Sequence, residues 1–285
     1  MTQPVLVTGC STGIGLAIAT HLAAHGVPVI ATVRKAADAE RLARIEGVDA
    51  QICDVTDDVQ VARLRAAIDA RGDGLWGIVH NAGIAHLGPL TTTSVDDLRA
   101  VLEVNVVGVH RVTNALVDLI VASRGRIVTM SSLSGTESTV LVGAYAMSKH
   151  ALEAYTDALA KQLAPDGVHV CAVAPGNYAS AIVGNAVERF APPAGASEDL
   201  EALFEPGADT SRSEYPSPEP VAAACHAALF DAAPLERYLV VPIAEEADVT
   251  LRQAAHEWAR LNASTPFGWT SERLVEEIEI ASTRR

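Results

Sequence analysis

Residues 4–15 read Pro-Val-Leu-Val-Thr-Gly-Cys-Ser-Thr-Gly-Ile-Gly and join a short apolar run to three glycines. The apolar run, 4–8, is typical of a buried parallel strand, and residues 16–24 have a helical pattern. A strand, a glycine-rich turn and a helix form a phosphate cradle, because glycines let the backbone approach a pyrophosphate and the helix N-terminus offers free N–H groups. The spacing, G-x-x-x-G-x-G, differs from the common G-x-G-x-x-G, and the alternative interpretation is a plain tight turn.

Apolar runs alternate with helical patterns along the rest of the chain. This alternation predicts an α/β fold, a doubly wound parallel sheet of about seven strands in a single domain, 1–285. In such a sheet the ligand lies across the carboxyl ends of the strands. The predicted strands are 4–8, 27–33, 48–53, 76–80, 125–131, 168–174 and 237–241, and the predicted helices are 13–25, 38–46, 57–71, 94–123, 145–163 and 218–233.

Tyr145 and Lys149 stand four residues apart at the start of a predicted helix, and Ser132 precedes them. Residues four apart share a helix face, so we expect the ammonium of Lys149 near the phenol of Tyr145. A nearby positive charge lowers the pKa of a phenol and lets it exchange protons near neutral pH. A lone Tyr–Lys pair is common on surface helices, and the glycine-rich turn is what favours the catalytic interpretation.

Four further motifs accompany the Tyr–Lys pair: T-G-x-x-x-G-x-G at 8–15, N-A-G at 81–83, Asn105 in Glu-Val-Asn-Val-Val-Gly, and P-G at 175–176. Together with the S…Y-x-x-x-K set of Ser132, Tyr145 and Lys149, they resemble the short-chain dehydrogenase/reductase family, nearest its 17β-hydroxysteroid and retinol dehydrogenase branch. The resemblance runs from about residue 4 to about residue 241 and implies a Rossmann-type fold.

The resemblance implies a role for each catalytic residue. Tyr145 would be the general acid in carbonyl reduction and the base in alcohol oxidation, and Ser132 would hydrogen-bond the substrate oxygen. Lys149 would hold the nicotinamide ribose while lowering the pKa of Tyr145, and Asn105 would anchor a water that links Lys149 to solvent. Ser131 is the alternative to Ser132, and the spacing to Tyr145 favours Ser132.

The resemblance also implies a set of cofactor contacts. Asp54 and Val55 would bracket the adenine, Asn81, Ala82 and Gly83 would line the adenine ribose, and Ser180 would replace the usual threonine after the P-G motif. The large Tyr178 would touch the nicotinamide or narrow the substrate entrance. The predicted cofactor residues are Gly9, Ser11, Thr12, Gly13, Ile14, Gly15, Arg34, Asp54, Val55, Asn81, Ala82, Gly83, Tyr145, Lys149, Pro175, Gly176, Tyr178 and Ser180.

The end of the second strand favours NADP over NAD. NAD sites usually place Asp or Glu about twenty residues past the glycines, where it binds the ribose 2′-hydroxyl. Here Val33 is followed by Arg34 and Lys35, and the next acidic residue is Asp38. An arginine can clasp the 2′-phosphate of NADP, which a carboxylate would repel. The alternative is that Arg34 only points to solvent.

Composition excludes several classes of protein. The 285 residues carry a net charge of −14 without a basic stripe, so we expect no nucleic-acid partner. The four cysteines have no metal-ligand spacing and are expected to be buried and reduced. The nine histidines show no clustered pattern, so we expect no metal site. No apolar run approaches the roughly 20 residues of a membrane span, and no leader is evident, so we expect a cytoplasmic protein.

Two segments extend the predicted sheet. Residues 191–220 hold six prolines, seven acidic residues and only Arg212 as a basic one. We interpret 178–220 as a mobile substrate lid, with a plain surface loop as the alternative. Because this lid is acidic, we expect a neutral, fairly apolar substrate. Residues 242–285 have an amphipathic helical pattern. We expect this tail either to pack against a neighbouring subunit or the substrate cleft, or to cover the core.

These features predict an NADP-dependent oxidoreductase that interconverts an alcohol and a ketone or aldehyde. One alternative is a 3-oxoacyl-carrier-protein reductase, against which the acidic surface weighs, because it repels an acidic carrier. Another is a non-catalytic dinucleotide-binding sensor on the same fold, which would typically lack the Tyr–Lys pair. By resemblance, we expect a homodimer or homotetramer that uses the helices near 94–123 and 145–163.

Overall fold

The computed structural model describes residues 3–193, 197–205 and 207–283. Its centre is a seven-stranded sheet in the order β3-β2-β1-β4-β5-β6-β7, and every neighbouring pair is parallel. The predicted doubly wound parallel sheet is therefore confirmed. The strands are β1 (Val5–Val7), β2 (Val29–Val33), β3 (Val48–Ile52), β4 (Gly77–His80), β5 (Arg126–Met130), β6 (His169–Pro175) and β7 (Arg237–Val240).

Helices cover both faces of the sheet and create two apolar cores. Successive strand residues point to opposite faces, so Leu6 joins one core while Val5 and Val7 join the other. Because both faces are covered, the central strands are continuous apolar runs. The helices are α1 (Gly13–Ala24), α2 (Ala36–Leu42), α3 (Asp58–Arg71), α4 (Val95–Leu102), α5 (Gly108–Ser123), α6 (Gly143–Leu163), α7 (Ile182–Arg189), α8 (Glu198–Ala202), α9 (Glu219–Phe230), α10 (Ala244–Ala263) and α11 (Ser271–Thr283).

The predicted helix 94–123 is interrupted by a π-helical turn at Glu103–Val107, between α4 and α5. A π turn adds one residue to the helical repeat and often marks a functional site. By length and composition alone, Val95–Ser123 could also cross a bilayer, which the search for apolar runs in the sequence missed. In the fold its Val112, Leu116 and Ile120 are fully buried in the core.

The predicted lid contains α7 and α8, where the sequence predicted no helix. Residues 194–196 and 206 of this segment lie outside the described residues. The chain divides into two compact units, 1–242 and 243–285. The second unit consists of α10 and α11, whose connection is closed by Asn262, which bonds the backbone N–H and the carbonyl oxygen of Trp269.

Two expectations about metal-ligand side chains have different outcomes. All four cysteines are free and buried, as predicted. The histidines show no clustered pattern in the sequence, but the fold brings His21 and His25 on α1 together with His226 on α9, and the expectation of no metal site stays a prediction. Sequence spacing could not show this contact, since His226 follows His21 by 205 residues.

Candidate active site

A cavity of about 420 Å³ opens at the carboxyl ends of β1, β4, β5 and β6. It lies where the strand order reverses between β1 and β4, which is the usual ligand position in this type of sheet. Every residue predicted to bind the cofactor lines it, as does Ser132. Of the predicted site residues, Asn105 alone is missing from the lining described for this cavity.

The glycine-rich turn fits a phosphate cradle because its backbone is packed too closely for side chains. Gly9 has φ 72°, and a Cβ there would lie 2.8 Å from the Cα of Ala82. A Cβ on Gly15 would lie 2.3 Å from both the side-chain amide nitrogen of Asn81 and the carbonyl oxygen of Gly9. These contacts leave the first turn of α1 open toward the cavity, as a pyrophosphate requires.

Asn81 fixes this turn as well as lining the cavity. Its Nδ2 donates to the carbonyl oxygens of Thr8 (2.9 Å) and Gly9 (3.0 Å). The Thr8 hydroxyl in turn accepts the backbone N–H groups of Asn81 and Ala82, both at 3.0 Å. The Asn81 side chain thus ties the N-A-G segment, which follows β4, to the end of β1. Because this amide is engaged within the protein, mainly backbone atoms of the segment remain to contact a nucleotide.

Tyr145 and Ser132 meet in the cavity. A side-chain hydrogen bond joins them, and together with the positive charge of Arg212 it lowers the pKa of the phenol. Burial acts in the opposite direction and is the larger effect, so the pKa of Tyr145 lies above its ordinary value of 10.0. Ser131, the alternative to Ser132, has a buried hydroxyl without a hydrogen-bond partner among the described residues.

Lys149 does not act on Tyr145 as the sequence predicted. Its Nζ donates to the carbonyl oxygen of Met130 at 2.6 Å and lies 5.4 Å from the centroid of the Tyr145 ring. Burial lowers the pKa of Lys149 to about 8, which the nearby Glu153 partly opposes. The expectation that Lys149 lowers the pKa of Tyr145 is wrong for this arrangement, since the charge that does so belongs to Arg212.

Asn105 lies in the π turn, fully buried behind the cavity. Its Nδ2 donates to the carbonyl oxygen of Ile84 and to the hydroxyl of Ser148, both at 2.9 Å, and its Oδ1 accepts the Ile84 N–H at 2.8 Å. Both amide hydrogens of this side chain are engaged within the protein, and the expected role of Asn105 as a water anchor stays a prediction. Asn105 is a positioning residue that joins the N-A-G loop to α6.

Two arginines flank the glycine-rich turn at the end of β2. Arg34 is exposed and lines the cavity. Arg41 donates to the carbonyl oxygen of Ser11 and forms an ion pair with Asp38 at 3.0 Å. Pairing with Arg41 offsets the nearest carboxylate, so this corner presents cationic groups. Sequence reasoning missed Arg41, although its position on α2, close after the strand, was visible.

The other predicted contacts are distributed around the same rim. Asp54 accepts two hydrogen bonds from Thr56, from its N–H (2.9 Å) and its hydroxyl (2.8 Å), which fixes the carboxylate at the end of β3. Tyr178 is 3% exposed and packs in the core behind Pro175 and Gly176 while still contributing to the lining. Ser180 packs against the first turn of α1, 3.2 Å from the position of a Cβ on Gly13.

The main residue that sequence reasoning missed is Arg212. It reaches the cavity from the predicted lid, and its Nη2 donates to the side-chain oxygen of Asn177 at 2.7 Å. Arg212 thus brings a cationic group of the acidic lid to the cavity, and the expectation of a neutral, fairly apolar substrate stays a prediction. The signal was available, because Arg212 is the single basic residue of 191–220, but composition does not say which side chain turns inward.

The sequence matches a profile of known proteins described as short chain dehydrogenase, over residues 3–190. The chain belongs to the short-chain dehydrogenase family. It is similar to bovine mitochondrial D-β-hydroxybutyrate dehydrogenase, with 34% identity over 189 residues, which covers 63% of this chain and 55% of that protein. It is also similar to human retinol dehydrogenase 16, with 35% identity over 192 residues, 65% of this chain and 59% of that protein. The match thus spans little more than half of these relatives, and it supports the expected branch.

Solved structures of family members share the fold. A variant of actinorhodin polyketide ketoreductase with NADPH has a TM-score of 0.72 and 26% identity, over 84% of this chain and 95% of that one. A short chain dehydrogenase/reductase from Burkholderia phymatum in complex with NAD has a TM-score of 0.77 and 22% identity, over 95% and 98% of the two chains. The two neighbours hold different dinucleotides, so the comparison leaves the choice of cofactor open.

Proposed function

We propose that this protein is a dinucleotide-dependent oxidoreductase that interconverts an alcohol and a ketone or aldehyde. The observation that carries the proposal is the hydrogen-bonded pair of Ser132 and Tyr145, with Lys149 one helical turn on, inside a cavity whose glycine-rich rim fits a pyrophosphate. A sensor on the same fold would have no use for an acid–base pair in this position.

The side chains of the protein position the substrate and supply the proton. A bound nicotinamide dinucleotide would supply or accept the hydride. In carbonyl reduction the Tyr145 hydroxyl gives its proton to the substrate oxygen, and in alcohol oxidation the phenolate takes that proton back. Ser132 donates a hydrogen bond to the same oxygen and stabilises its developing negative charge. Lys149, at the floor of the cavity, is placed to hold ribose hydroxyls.

The preferred cofactor in this proposal is NADP. Arg34 lines the cavity at the end of β2, where an NAD site would usually carry a carboxylate. Arg41 stands beside the same turn and neutralises Asp38. Two guanidinium groups at one corner suit the 2′-phosphate, because arginine binds phosphate oxygens in a fork.

The substrate has an apolar body in this proposal. Leu87, Leu133, Val142, Ile182 and Val183 form much of the lining beyond the glycine-rich turn. The names of the two relatives indicate substrates of different charge, since hydroxybutyrate is a hydroxy acid and retinol is an uncharged alcohol. A 3-oxoacyl-carrier-protein reductase stays the second candidate, because the family neighbour solved with NADPH is a polyketide ketoreductase.

Three further features of the proposal concern the whole protein. Residues 178–220 act as the substrate lid, since Arg212 of this segment reaches the cavity. The protein assembles as a homodimer or homotetramer through the long helices at 95–123 and 143–163. It works in the cytoplasm.

The test is turnover by Tyr145→Phe. We expect it to lose at least about 99% of the activity toward a panel of ketones, aldehydes and alcohols, because general acid–base catalysis contributes roughly 10²–10⁴-fold. Its NADPH affinity, measured by fluorescence, should stay close to that of the wild type. Tyr155→Phe is the matched control, since it removes a phenol on the same helix, and Tyr155 does not line the cavity. A wild type that binds nucleotide but turns over nothing in the panel would support the sensor instead.

A further inference from the structure

The backbone of Arg212 is in a conformation that side chains disfavour. Of the non-glycine residues described, Arg124 and Arg212 have left-handed φ angles, 50° and 53°. Arg124 follows the last turn of α5 as its C-cap, where this conformation is common. Arg212 ends no helix. Strain of this kind concentrates at functional sites when no local reason accounts for it.

The guanidinium of Arg212 is held rigidly at the cavity. Its central carbon lies 4.2 Å from the centroid of the Tyr215 ring, and its Nη2 donates to Asn177. Stacking on one face and a hydrogen bond at one corner fix the plane of the group. Its Nε is buried and has no hydrogen-bond partner among the described residues. One N–H of the planar fork is thus left without an acceptor.

The charge of Arg212 is also uncompensated. Of the other half-buried arginines, Arg65 pairs with Asp69 and Asp118, and Arg111 pairs with Asp58 and Glu103. Arg126 also has no ion pair among the described residues, but unlike Arg212 it does not line the cavity. In the part of the chain that the structure describes, Arg212 has no ion pair. Enclosing a charge without a partner is costly, so such a group is normally kept for a ligand.

We infer that Arg212 anchors a carboxylate of the substrate, which makes the substrate a hydroxy acid or oxo acid. This inference rests on the proposed function. The planar fork of an arginine that lines the cavity suits the two oxygens of a carboxylate. The anion would hold the reacting carbon beside Tyr145, which already senses the charge of Arg212.

The test compares oxo acids of several chain lengths with their methyl esters and with an oxo phosphate. The wild type should prefer the acids, and Arg212→Gln should lower kcat/KM for the acids by about 100-fold while changing it less than about threefold for the esters. Arg212→Lys should fall between the two, because it keeps the charge but loses the fork. Arg189→Gln is the control, since it removes an exposed lid arginine that stacks on Phe190 and does not line the cavity.

Each other result has a definite meaning. Equal losses for acids and esters, or a weakened NADPH affinity in Arg212→Gln, would overturn the anchor but leave the proposed function intact. A preference for the oxo phosphate would assign the site to phosphate and overturn the carboxylate. If the wild type turns over neither series, the proposed function fails. The anchor is then judged by calorimetry, and it falls if acids bind the protein–NADPH complex no better in the wild type than in Arg212→Gln.

A second, independent observation concerns the histidine cluster on α1 and α9. The nearest ligand nitrogens of His21, His25 and His226 all lie within 4.8 Å of one another. The Nε2 of His21 and the Nδ1 of His226 are 3.3 Å apart. Zn–N bonds of about 2.0–2.1 Å in a tetrahedral site place neighbouring nitrogens roughly this far apart. None of the three rings lines the cavity of about 420 Å³.

Partners behind the rings turn lone pairs toward the centre of the cluster. The Nδ1 of His21 bonds Glu219 at 2.5 Å, and the Nδ1 of His25 donates to the His21 carbonyl oxygen at 2.8 Å. These bonds leave Nε2 of both rings to accept a metal, which is the usual arrangement behind metal-binding histidines.

The geometry points to a divalent transition-metal site, of the zinc or nickel class, that clips α1 to α9. Untagged protein titrated with ZnCl₂ alone in a calorimeter should bind one equivalent with micromolar affinity and should melt several degrees higher. His226→Gln and His25→Gln should each weaken binding at least tenfold. His150→Gln is the matched control, because His150 is also an exposed helical histidine with its Nδ1 bonded to a carbonyl oxygen four residues back. Binding that is absent, or equally strong in all variants, would overturn the site.

Discussion

The Nζ of Lys149 lies 2.6 Å from the carbonyl oxygen of Met130, the last residue of β5. This bond holds the amine at the end of the strand, 5.4 Å from the centroid of the Tyr145 ring. A buried amine with a single strong acceptor is held in place but is desolvated, which explains why the pKa of Lys149 falls to about 8. The lysine is therefore positioned to change charge within the range in which enzymes are assayed.

We predict that kcat/KM for carbonyl reduction falls above about pH 8. Burial favours the neutral amine, so Lys149 is charged only below this pH. Tyr145 does not obscure the effect, because its raised pKa keeps the phenol protonated through the same range. Lys149→Arg keeps its charge, so the fall in kcat/KM should begin at a pH at least roughly one unit higher. Identical pH profiles for the two proteins would show that another group titrates.

Arg34→Ala should raise the KM for NADP by about 10- to 100-fold, as expected for losing a hydrogen-bonded charge pair. The KM for NAD should change little, since NAD has no 2′-phosphate to bind. Lys35→Ala is the control, because Lys35 is the exposed neighbour of Arg34 and does not line the cavity. A wild type with a lower KM for NAD than for NADP would contradict the preference.

Asn105→Ala should destabilise the protein by about 2–4 kcal/mol, because it leaves the N–H and carbonyl of Ile84 buried without their partner. Urea denaturation followed by circular dichroism measures this change. Asn114→Ala, at an exposed position of α5 where the amide only contacts His110, should cost less than about 1 kcal/mol. Equal effects of the two substitutions would remove the positioning role of Asn105.

Limited proteolysis should report the lid. We expect cleavage within 191–220 to slow when NADPH and a substrate are both present, because Arg212 would then tie this segment over the cavity. Arg212→Gln should abolish the protection by substrate and keep any protection by nucleotide alone. Cleavage at the same rate with and without both ligands would leave 178–220 as a plain surface loop.

Local pattern was enough to predict the sheet, and the motifs added half of the cavity lining. Most predicted cofactor residues lie just after a strand that the apolar runs located, and parallel strands bring those ends to one edge. Tyr145 and Lys149, on α6, were located by their motif instead. The π turn at Glu103–Val107 could not be predicted this way, since one extra residue per turn hardly alters an amphipathic pattern. It nevertheless decides that Asn105 faces Ile84 and Ser148.

Contacts between distant segments also could not be predicted from the sequence. Arg212 meets Asn177 across 35 residues, and His226 meets His21 across 205. The direction of Lys149 was predicted from helical spacing alone, which places it on the face of Tyr145 but does not include the competing carbonyl of Met130. In each case the deciding partner lies on another element, and no periodicity within one segment carries that information.

The burial of the four cysteines bears on how this protein responds to oxidants. Burial raises the pKa of every one of these thiols, that of Cys53 at the cavity to about 11 and that of Cys171 to about 12. Peroxides and alkylating agents attack the thiolate, which is nearly absent at such values. Cys10 lies inside the glycine-rich turn itself, so oxidation of a reactive sulfur there would disrupt the phosphate cradle. We therefore expect turnover to persist under oxidative stress that silences enzymes with exposed sulfhydryls.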